Sequence, residues 1–418
     1  MKRLRIQGIK ELQGTICVSG AKNSAVALIP ASLLSDGIVK ITNVPNISDI
    51  DALNEILTYL GANVRREDGS IEIDATSIEN KEIPESISTK LRASYYFMGA
   101  LLGKYKTVSM YFPGGCSIGK RPIDQTLKGF EALGATIEEK DNKYKITAQE
   151  LVGTHIYLDM VSVGATVNIM LAAVRAKGTT IIENVAKEPE IVNVATFLNN
   201  MGAKIKGAGT DKITIVGVNE LTGCNHEVIP DRIEAGTFVI LGALAGNPVR
   251  IENLIPEHIE ALLLKLREIG VNLTIGKNYV EVKKTDQLKP VRVKTLVYPG
   301  LATDLQQPLT TLLTQIPGVS YVEETIYENR YMHIPELNKL GTDIEMIDNR
   351  NFKITGKTPL KGTEVNATDL RGGAALVLAA IIADGETVVN QVEHVLRGYE
   401  NIVEKLEGIG AKIKIEEI

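Results

Sequence analysis

The sequence predicts an α/β fold assembled from six β-α-β-α-β-β repeats of about 70 residues, and three observations predict it. A short apolar helical stretch running into a glycine turn recurs at Leu60-Gly61-Ala62, Leu133-Gly134-Ala135, Met201-Gly202-Ala203, Ile269-Gly270-Val271, Leu340-Gly341-Thr342 and Ile409-Gly410-Ala411. The glycines lie 73, 68, 68, 71 and 69 residues apart, so six units account for all 418 residues. No β-α-β segment opens with G-x-G-x-x-G, which disfavours a doubly wound dinucleotide-binding sheet.

The third unit shows the order of elements most clearly. A strand leads into a small-residue helix at Val163-Gly164-Ala165, a start echoed by Gly372-Gly373-Ala374-Ala375 in the sixth unit. Gly178 then precedes a β-branched strand, Thr179-Thr180-Ile181-Ile182-Glu183-Asn184-Val185. A second helix follows, with Ile191, Val194, Phe197 and Leu198 at helical spacing, and Gly202 stands where a helix stop belongs. Two alternating strands, Ala203–Ile205 and Lys212–Val216, are joined by Lys206-Gly207-Ala208-Gly209-Thr210. Six such units could close as one ring, three pairs or two trimers, and no Pro/Ser-rich linker marks a boundary.

Composition narrows the function classes. Hydrophobic residues are 44% and charged residues 23%, which is globular rather than disordered. The net charge is −5, aromatics are 5% and Trp is absent, so neither a phosphate-tracking basic surface nor a base-stacking platform is expected, and nucleic acid is a poor partner. The longest apolar run, Ala374 to Ala383, is too short to span a bilayer. Polar residues interrupt the segment after Met1-Lys2-Arg3-Leu4-Arg5, unlike a signal peptide. Cys17, Cys116 and Cys224 form a sparse, odd set that suggests a reducing compartment, and the expectation is a soluble cytoplasmic protein without membrane insertion.

Laying the units over one another places charged residues at two recurring positions. The start of the first helix carries Lys22-Asn23, Arg92, Ser162-Val163-Gly164, Asp231-Arg232, Asp304 and Arg371 in turn. The loop before the second helix carries Cys116 with Lys120-Arg121, then Glu188, Glu257, Arg330 and Arg397. Helix N-termini suit anions, whereas cationic side chains there oppose the dipole unless an anion is present. Solvated surface arginine explains any one of these residues; recurrence in one register points to a polyanion site. Asp304 also reads as a plain N-cap carboxylate.

The stretch Gly114-Gly115-Cys116-Ser117-Ile118-Gly119-Lys120-Arg121-Pro122 nearly matches a P-loop, but Arg121 stands where the Mg²⁺-binding hydroxyl should be. What remains is a thiol beside two cations, a setting that favours thiolate and reactivity. Cys17 and Cys224, without such neighbours, read as small hydrophobes. His155, His226, His258, His333 and His394 show no i,i+3 or i,i+4 pairing, and no C-x-x-C, Ser-His-Asp grouping or G-x-S-x-G elbow occurs, so no metal and no cofactor are expected.

Taken together, Ser19-Gly20-Ala21-Lys22-Asn23-Ser24, the Cys116-to-Asp124 loop, Ser162-Val163-Gly164-Ala165-Thr166, Thr303-Asp304, Glu328-Asn329-Arg330, Asp369-Leu370-Arg371 and Arg397-Gly398-Tyr399-Glu400 closely resemble the UDP-N-acetylglucosamine 1-carboxyvinyltransferases (UDP-GlcNAc enolpyruvyl transferases) of the enolpyruvyl transferase family. The resemblance is collinear over the whole chain. It implies a two-domain inside-out α/β barrel with three repeats per domain: residues 22–229 carrying the Cys116 loop, residues 1–21 plus 230–418, and an active site in the cleft between them. It implies enolpyruvyl transfer from phosphoenolpyruvate to the 3-hydroxyl of UDP-GlcNAc, with release of phosphate, as the committed step of peptidoglycan precursor synthesis. It also implies residue roles. Lys22, Arg121 and Arg397 would hold the phosphoenolpyruvate phosphate, with Asn23 nearby and Arg330 and Arg371 towards the carboxylate. Arg92, the segment Arg121, Pro122, Ile123, Asp124 and Gln125, then Ser162, Val163, Gly164, Asp304 and Ile326 would line the sugar-nucleotide site. Cys116 would act as acid or covalent nucleophile and as the target of the epoxide fosfomycin, and Asp304 would act as base. Two positions depart from the family pattern: Met160 stands where a Lys is often found, and Thr126 where a His is. The alternatives are a 5-enolpyruvylshikimate-3-phosphate synthase-like transferase, which lacks such a cysteine loop, a P-loop kinase, and a non-catalytic repeat scaffold. A scaffold should repeat one exposed face, whereas here each unit contributes a different charged type.

Overall fold

The computed structural model describes residues 2–112 and 122–417. They divide into two compact units, 2–19 with 230–417 and 20–112 with 122–229. The first junction therefore falls between Ser19 and Gly20, two residues before the expected one. A Cβ on Gly20 would sit 1.7 Å from the Asn43 carbonyl oxygen, and Ala21 N donates to Ile229 O (2.7 Å), which builds both residues into the 20–229 unit. Ser19 O instead accepts from Asp231 N (2.8 Å), on the other side of the boundary.

The strand–helix order read from the third unit is present there. His155–Tyr157 runs parallel to Thr179–Glu183, which pairs antiparallel with Lys212–Val216, and Lys204–Lys206 closes the edge, one residue later than expected. This spatial order of first, second, fourth and third strands recurs, but the repeats are not contiguous pieces of chain. Asn225–Glu227, at the end of the 20–229 unit, supplies the first strand beside Ile38–Thr42. In the second repeat the first strand shrinks to Ile83, which bridges Met110. The N-terminus serves two repeats of the other unit. Leu12–Cys17 is the first strand parallel to Gly246–Glu252, and Lys2–Gln7 is inserted between Glu386–Asn390 and Lys412–Glu417 as a fourth strand.

Each unit has its own apolar core, filled by the first helices of its three repeats. These are Lys22–Ala31, Tyr96–Tyr105 and Val163–Ala173 in one unit, and Arg232–Ala245, Thr303–Leu313 and Leu370–Ile382 in the other. Residues Ala165 to Ala173 are all buried, as are Ile233 to Ala245, and a helix apolar on every side belongs inside. The sheets cover these helices on the outside. The second helices, such as Pro189–Asn200 and Glu260–Ile269, bury one face only. Helices are thus at the centre and sheets at the periphery, an inside-out barrel in each unit, so six repeats form two trimers.

Small residues permit the close central packing. A Cβ on Gly99 would meet Asn168 O at 2.4 Å, and Gly99 N donates to Asn168 Oδ1 (2.9 Å). The six repeat glycines, Gly61 to Gly410, have φ between +96° and +106°, the left-handed conformation that ends a helix and that glycine adopts without steric penalty. No helix of the described residues is long and apolar enough to cross a membrane.

Candidate active site

In the 230–417 unit, two of the register positions meet. Asp304, in the first turn of Thr303–Leu313, places Oδ1 2.8 Å from Arg330 Nη2. Its Oδ2 lies 3.1 Å from Arg371 Nη2 and 3.2 Å from Arg371 Nε. The arginine side chains are each 3% exposed, and that of Asp304 is 26% exposed. Asp304 is therefore not the N-cap that its sequence position suggests. Ala302 holds that position without a side-chain cap, and the carboxylate turns to the guanidiniums instead. Pro308 lies inside this helix, where it removes the bond its N–H would make to the Asp304 carbonyl.

Buried and half-buried neighbours fix both arginines. Arg330 Nη1 donates to Thr303 Oγ1 (2.8 Å), its Nε lies 3.4 Å from Gln307 Oε1, and its guanidinium stands over the Tyr327 ring. Thr303 Oγ1 donates to Glu324 Oε2 (2.9 Å). Glu324, itself buried, also accepts from Thr295 Oγ1 (2.9 Å), Ile326 N (2.8 Å) and Tyr327 N (3.2 Å). Asp369 caps Leu370–Ile382 by accepting from Arg371 N and Gly372 N (3.0 Å each), and its other oxygen accepts from Gln307 Nε2 (3.0 Å). Arg371 lies over the ring of Tyr399, whose hydroxyl is 2.9 Å from Thr237 Oγ1. Burial pushes the Asp304 carboxyl up, but the Arg330 and Arg371 charges outweigh it and hold Asp304 far below the usual carboxylate range. Burial likewise drives His333, beside Gln307, down to about 4.

Arg397 follows the short helix Glu393–Leu396, half-buried, and a Cβ on the next residue, Gly398, would press into Leu370. The 397–399 segment therefore abuts the helix start that carries Arg371. Ile326 is fixed through its N–H by Glu324.

In the 20–229 unit, Lys22 opens its helix and lies 2.8 Å from Asp49 Oδ2, with 12% and 6% side-chain exposure respectively. Asn23 is exposed, and Ser24 Oγ donates to Asn193 Oδ1. Arg92 stands over the rings of Tyr95 and Phe112. Tyr95 in turn fills the space beside Gly164, where a Cβ would meet its hydroxyl at 1.2 Å. Ser162 Oγ caps Val163–Ala173 by accepting from Ala165 N (3.2 Å). Asp124 opens Asp124–Ala132, after Pro122 and a buried Ile123. Gln125 Oε1 accepts from Asp159 N (2.8 Å), and Lys128 donates to Asp159 Oδ2 (2.8 Å). Arg92 and Ser162–Gly164 are thus neighbours through Tyr95, and Gln125 reaches the strand end just before Ser162. Met160 is exposed and Thr126 buried. Cys116, Lys120 and Arg121 lie outside the described residues.

The register signal picked out Asp304, Arg330 and Arg371, which the structure brings together, and Lys22 in the other unit, but not the nearby carboxylates Asp49, Glu324 and Asp369. For Glu324 a signal existed. Ser320, Val322 and Glu324 keep the inward phase of one strand, so the carboxylate had to point inside.

A model of the family described as EPSP synthase (3-phosphoshikimate 1-carboxyvinyltransferase) matches residues 6–406. The chain is 54% identical over 411 residues to UDP-N-acetylglucosamine 1-carboxyvinyltransferase 2 of Listeria monocytogenes serotype 4b, covering 98% of this chain and 97% of that protein. It is 53% identical over 413 residues to the protein of the same name from Geobacillus kaustophilus, covering 99% and 96%. Among solved structures, the enolpyruvyl transferase NikO from Streptomyces tendae superposes with a TM-score of 0.90 at 28% identity over 99% of both chains. EPSP synthase from Acinetobacter baumannii, at 19% identity and a TM-score of 0.76 over the whole of both chains, shares the fold. Two inside-out trimers of repeats, the cation-rich helix starts and a family match that runs nearly end to end place this chain in the EPSP synthase family of enolpyruvyl transferases.

Proposed function

We propose that this enzyme transfers the enolpyruvyl group of phosphoenolpyruvate to the 3-hydroxyl of UDP-N-acetylglucosamine, with release of phosphate, as the committed step of peptidoglycan precursor synthesis. The observation that carries this reading is the 53–54% identity, over nearly full length, to relatives bearing that activity in their names. The residue chemistry agrees with it. Both substrates are anionic, and arginine forks suit carboxylate and phosphate.

In the addition step the sugar O3 bonds to C2 of the enol, a proton reaches the methylene carbon, and the hydroxyl proton leaves. In the elimination step the C2–O bond to phosphate breaks and a methyl proton is returned, restoring the double bond. Asp304 is the carboxylate for the hydroxyl proton. Cys116 is the thiol for the methylene proton or for covalent addition at C2. Lys22, Arg121 and Arg397 hold the phosphate with Asn23 nearby, and Arg330 and Arg371 hold the carboxylate. Arg92, Pro122 to Gln125, Ser162 to Gly164 and Ile326 line the sugar-nucleotide site. A cytoplasmic location fits the nucleotide-sugar substrate.

The family description, which names 3-phosphoshikimate, supplies the second reading. Phosphate release from phosphoenolpyruvate, measured with UDP-GlcNAc in one arm and shikimate 3-phosphate in the other, separates the two. Turnover only with UDP-GlcNAc is expected, and turnover only with shikimate 3-phosphate overturns the proposal.

A further inference from the structure

Arg330 and Arg371 form a rigid fork whose present occupant belongs to the protein. Each Asp304 oxygen sits on a different guanidinium, at 2.8 Å and 3.1 Å. Thr303 and Gln307 hold the Arg330 guanidinium, and the Tyr327 and Tyr399 rings lie against Arg330 and Arg371 respectively. Both arginine side chains are 3% exposed, so the guanidiniums cannot readily follow a moving partner. Asp304, by contrast, is the one member of the trio with appreciable exposure. Furthermore, Arg371 Nη1 is buried with no hydrogen-bond partner among the described residues. A buried cationic N–H left unmatched is costly, and it marks a fork only partly matched by Asp304.

We infer that Asp304 is the resident, displaceable ligand of the Arg330–Arg371 fork, competing with the carboxylate of the incoming substrate, and that its displacement frees it to take a proton. Resting on the proposed reading for the substrate's identity, this makes the fork and the base two states of one device. Without substrate, Asp304 is clamped between two cations and is a poor proton acceptor. A carboxylate that engages the fork, including the open Arg371 Nη1, releases Asp304 only once the acceptor hydroxyl has something to attack. The base is then unavailable until phosphoenolpyruvate is bound, which protects against idle chemistry.

The test is calorimetric binding of pyruvate and of phosphoenolpyruvate, each without the sugar nucleotide, to the wild type, Asp304→Asn, Arg371→Gln and the double variant. Competition predicts that Asp304→Asn binds both carboxylates at least ~10-fold more tightly than the wild type while losing turnover. Most of that gain disappears in the Arg371→Gln background, because the two side chains share one site. Mere removal of a negative charge predicts instead a gain that persists without Arg371, and that outcome overturns the inference, as does unchanged or weaker binding to Asp304→Asn. A second substitution, Asp304→Ala, guards against a local effect of the amide and is expected to show the same gain. Pyruvate binding needs no reaction, so the result stands apart from the acceptor assay that tests the proposed function.

Discussion

Glu324 is predicted to be the residue through which the fork is built, and Glu324→Gln tests this with almost no change of shape. The carboxylate receives four donors at 2.8 to 3.2 Å, from Thr295, Thr303, Ile326 and Tyr327. An amide can keep Oε1 towards Thr295 and the two backbone N–H groups. Its NH₂ then faces Thr303 Oγ1, which already accepts from Arg330 Nη1 and whose own proton loses its acceptor. The opposite amide orientation is worse, since it sets NH₂ against three donors. Hydrogen bonds to charged groups contribute roughly 1.5–3 kcal/mol and neutral ones 0.5–1.5, so four bonds stripped of charge lose about 2–4 kcal/mol after allowing for relaxation. For a unit of this size that is roughly a 5–15 °C fall in melting temperature. Part of the loss falls on the register of Arg330, so KM for phosphoenolpyruvate should rise about tenfold in assays run well below the melting point. Calorimetry and steady-state kinetics on the same preparation check both numbers. A variant that melts as the wild type does refutes the hydrogen-bond argument. One that is destabilised but keeps its KM refutes the positioning role.

Lys22→Ala and Arg397→Ala should each reduce turnover and raise KM for phosphoenolpyruvate by well over the fivefold or so that ~1 kcal/mol of surface ion pair supports; near-normal kinetics in both would remove them from the site. The depressed His333 gives a pH dependence: its neutral form is kept in the fold while the unfolded chain protonates near 6.5, so stability is lost as pH falls from about 6.5 towards 4. Comparing melting at pH 7.5 and pH 5 for the wild type and His333→Gln should show the wild type losing more, by up to about 3 kcal/mol across the full window. Cys116, beside Lys120 and Arg121 in sequence, should be alkylated faster than Cys17, whereas Cys224, pushed up to about 11 by burial, should stay unlabelled in the native protein. Peptide mapping after brief treatment with fosfomycin checks the order, and adduct on Cys224 would reverse it.

Periodicity made much of this fold readable, and chain connectivity hid the rest. The six glycines announced helix stops because only a left-handed residue ends a helix there, and a repeated conformational need leaves a repeated residue. The order of strands and helices within a repeat followed from the same local signals. That Lys2–Gln7 and Leu12–Cys17 serve two different repeats did not, because a strand records its alternation but not its neighbour. The site divided along the same line. Asp304, Arg330 and Arg371 were visible as charged residues at two helix starts and in a loop, yet their convergence depends on Thr303–Leu313 packing against Leu370–Ile382, with Asp304 and Arg371 67 positions apart in sequence. Capping preference read Asp304 as a local ligand for its own helix; two buried guanidiniums outbid one or two backbone N–H groups. Asp49 escaped notice because an acidic residue in a first turn is the commonest way to complement a helix dipole.

The six central helices show how one scaffold can hold unlike chemistry. Ser162, Asp231 and Asp369 cap three of them with side-chain oxygens, as capping preference demands. The remaining three begin without a side-chain cap: Lys22–Ala31 at Ala21, Thr303–Leu313 at Ala302, and Tyr96–Tyr105 at Tyr95, the last residue of a short turn, Arg92–Tyr95, that is itself uncapped at Leu91. These are the starts that carry Lys22-Asn23, Arg92 and Thr303-Asp304. A cap would satisfy first-turn N–H groups from within the chain and hold the preceding residue in one conformation; omitting it leaves the helix start to be completed by something else. Local stability rules tend to be broken where function competes with them. Here the breaches fall on three of six otherwise equivalent positions, and those three supply a cation, an aromatic-backed arginine and the clamped carboxylate, whereas the capped starts offer Ser162 to Gly164 and Arg371 without giving up the cap. Buried helix bodies in all three repeats of each unit provide rigidity that no longer depends on how any one helix begins. The ends were then free to diverge, which is why the repeats agree in their glycines and differ in their charges.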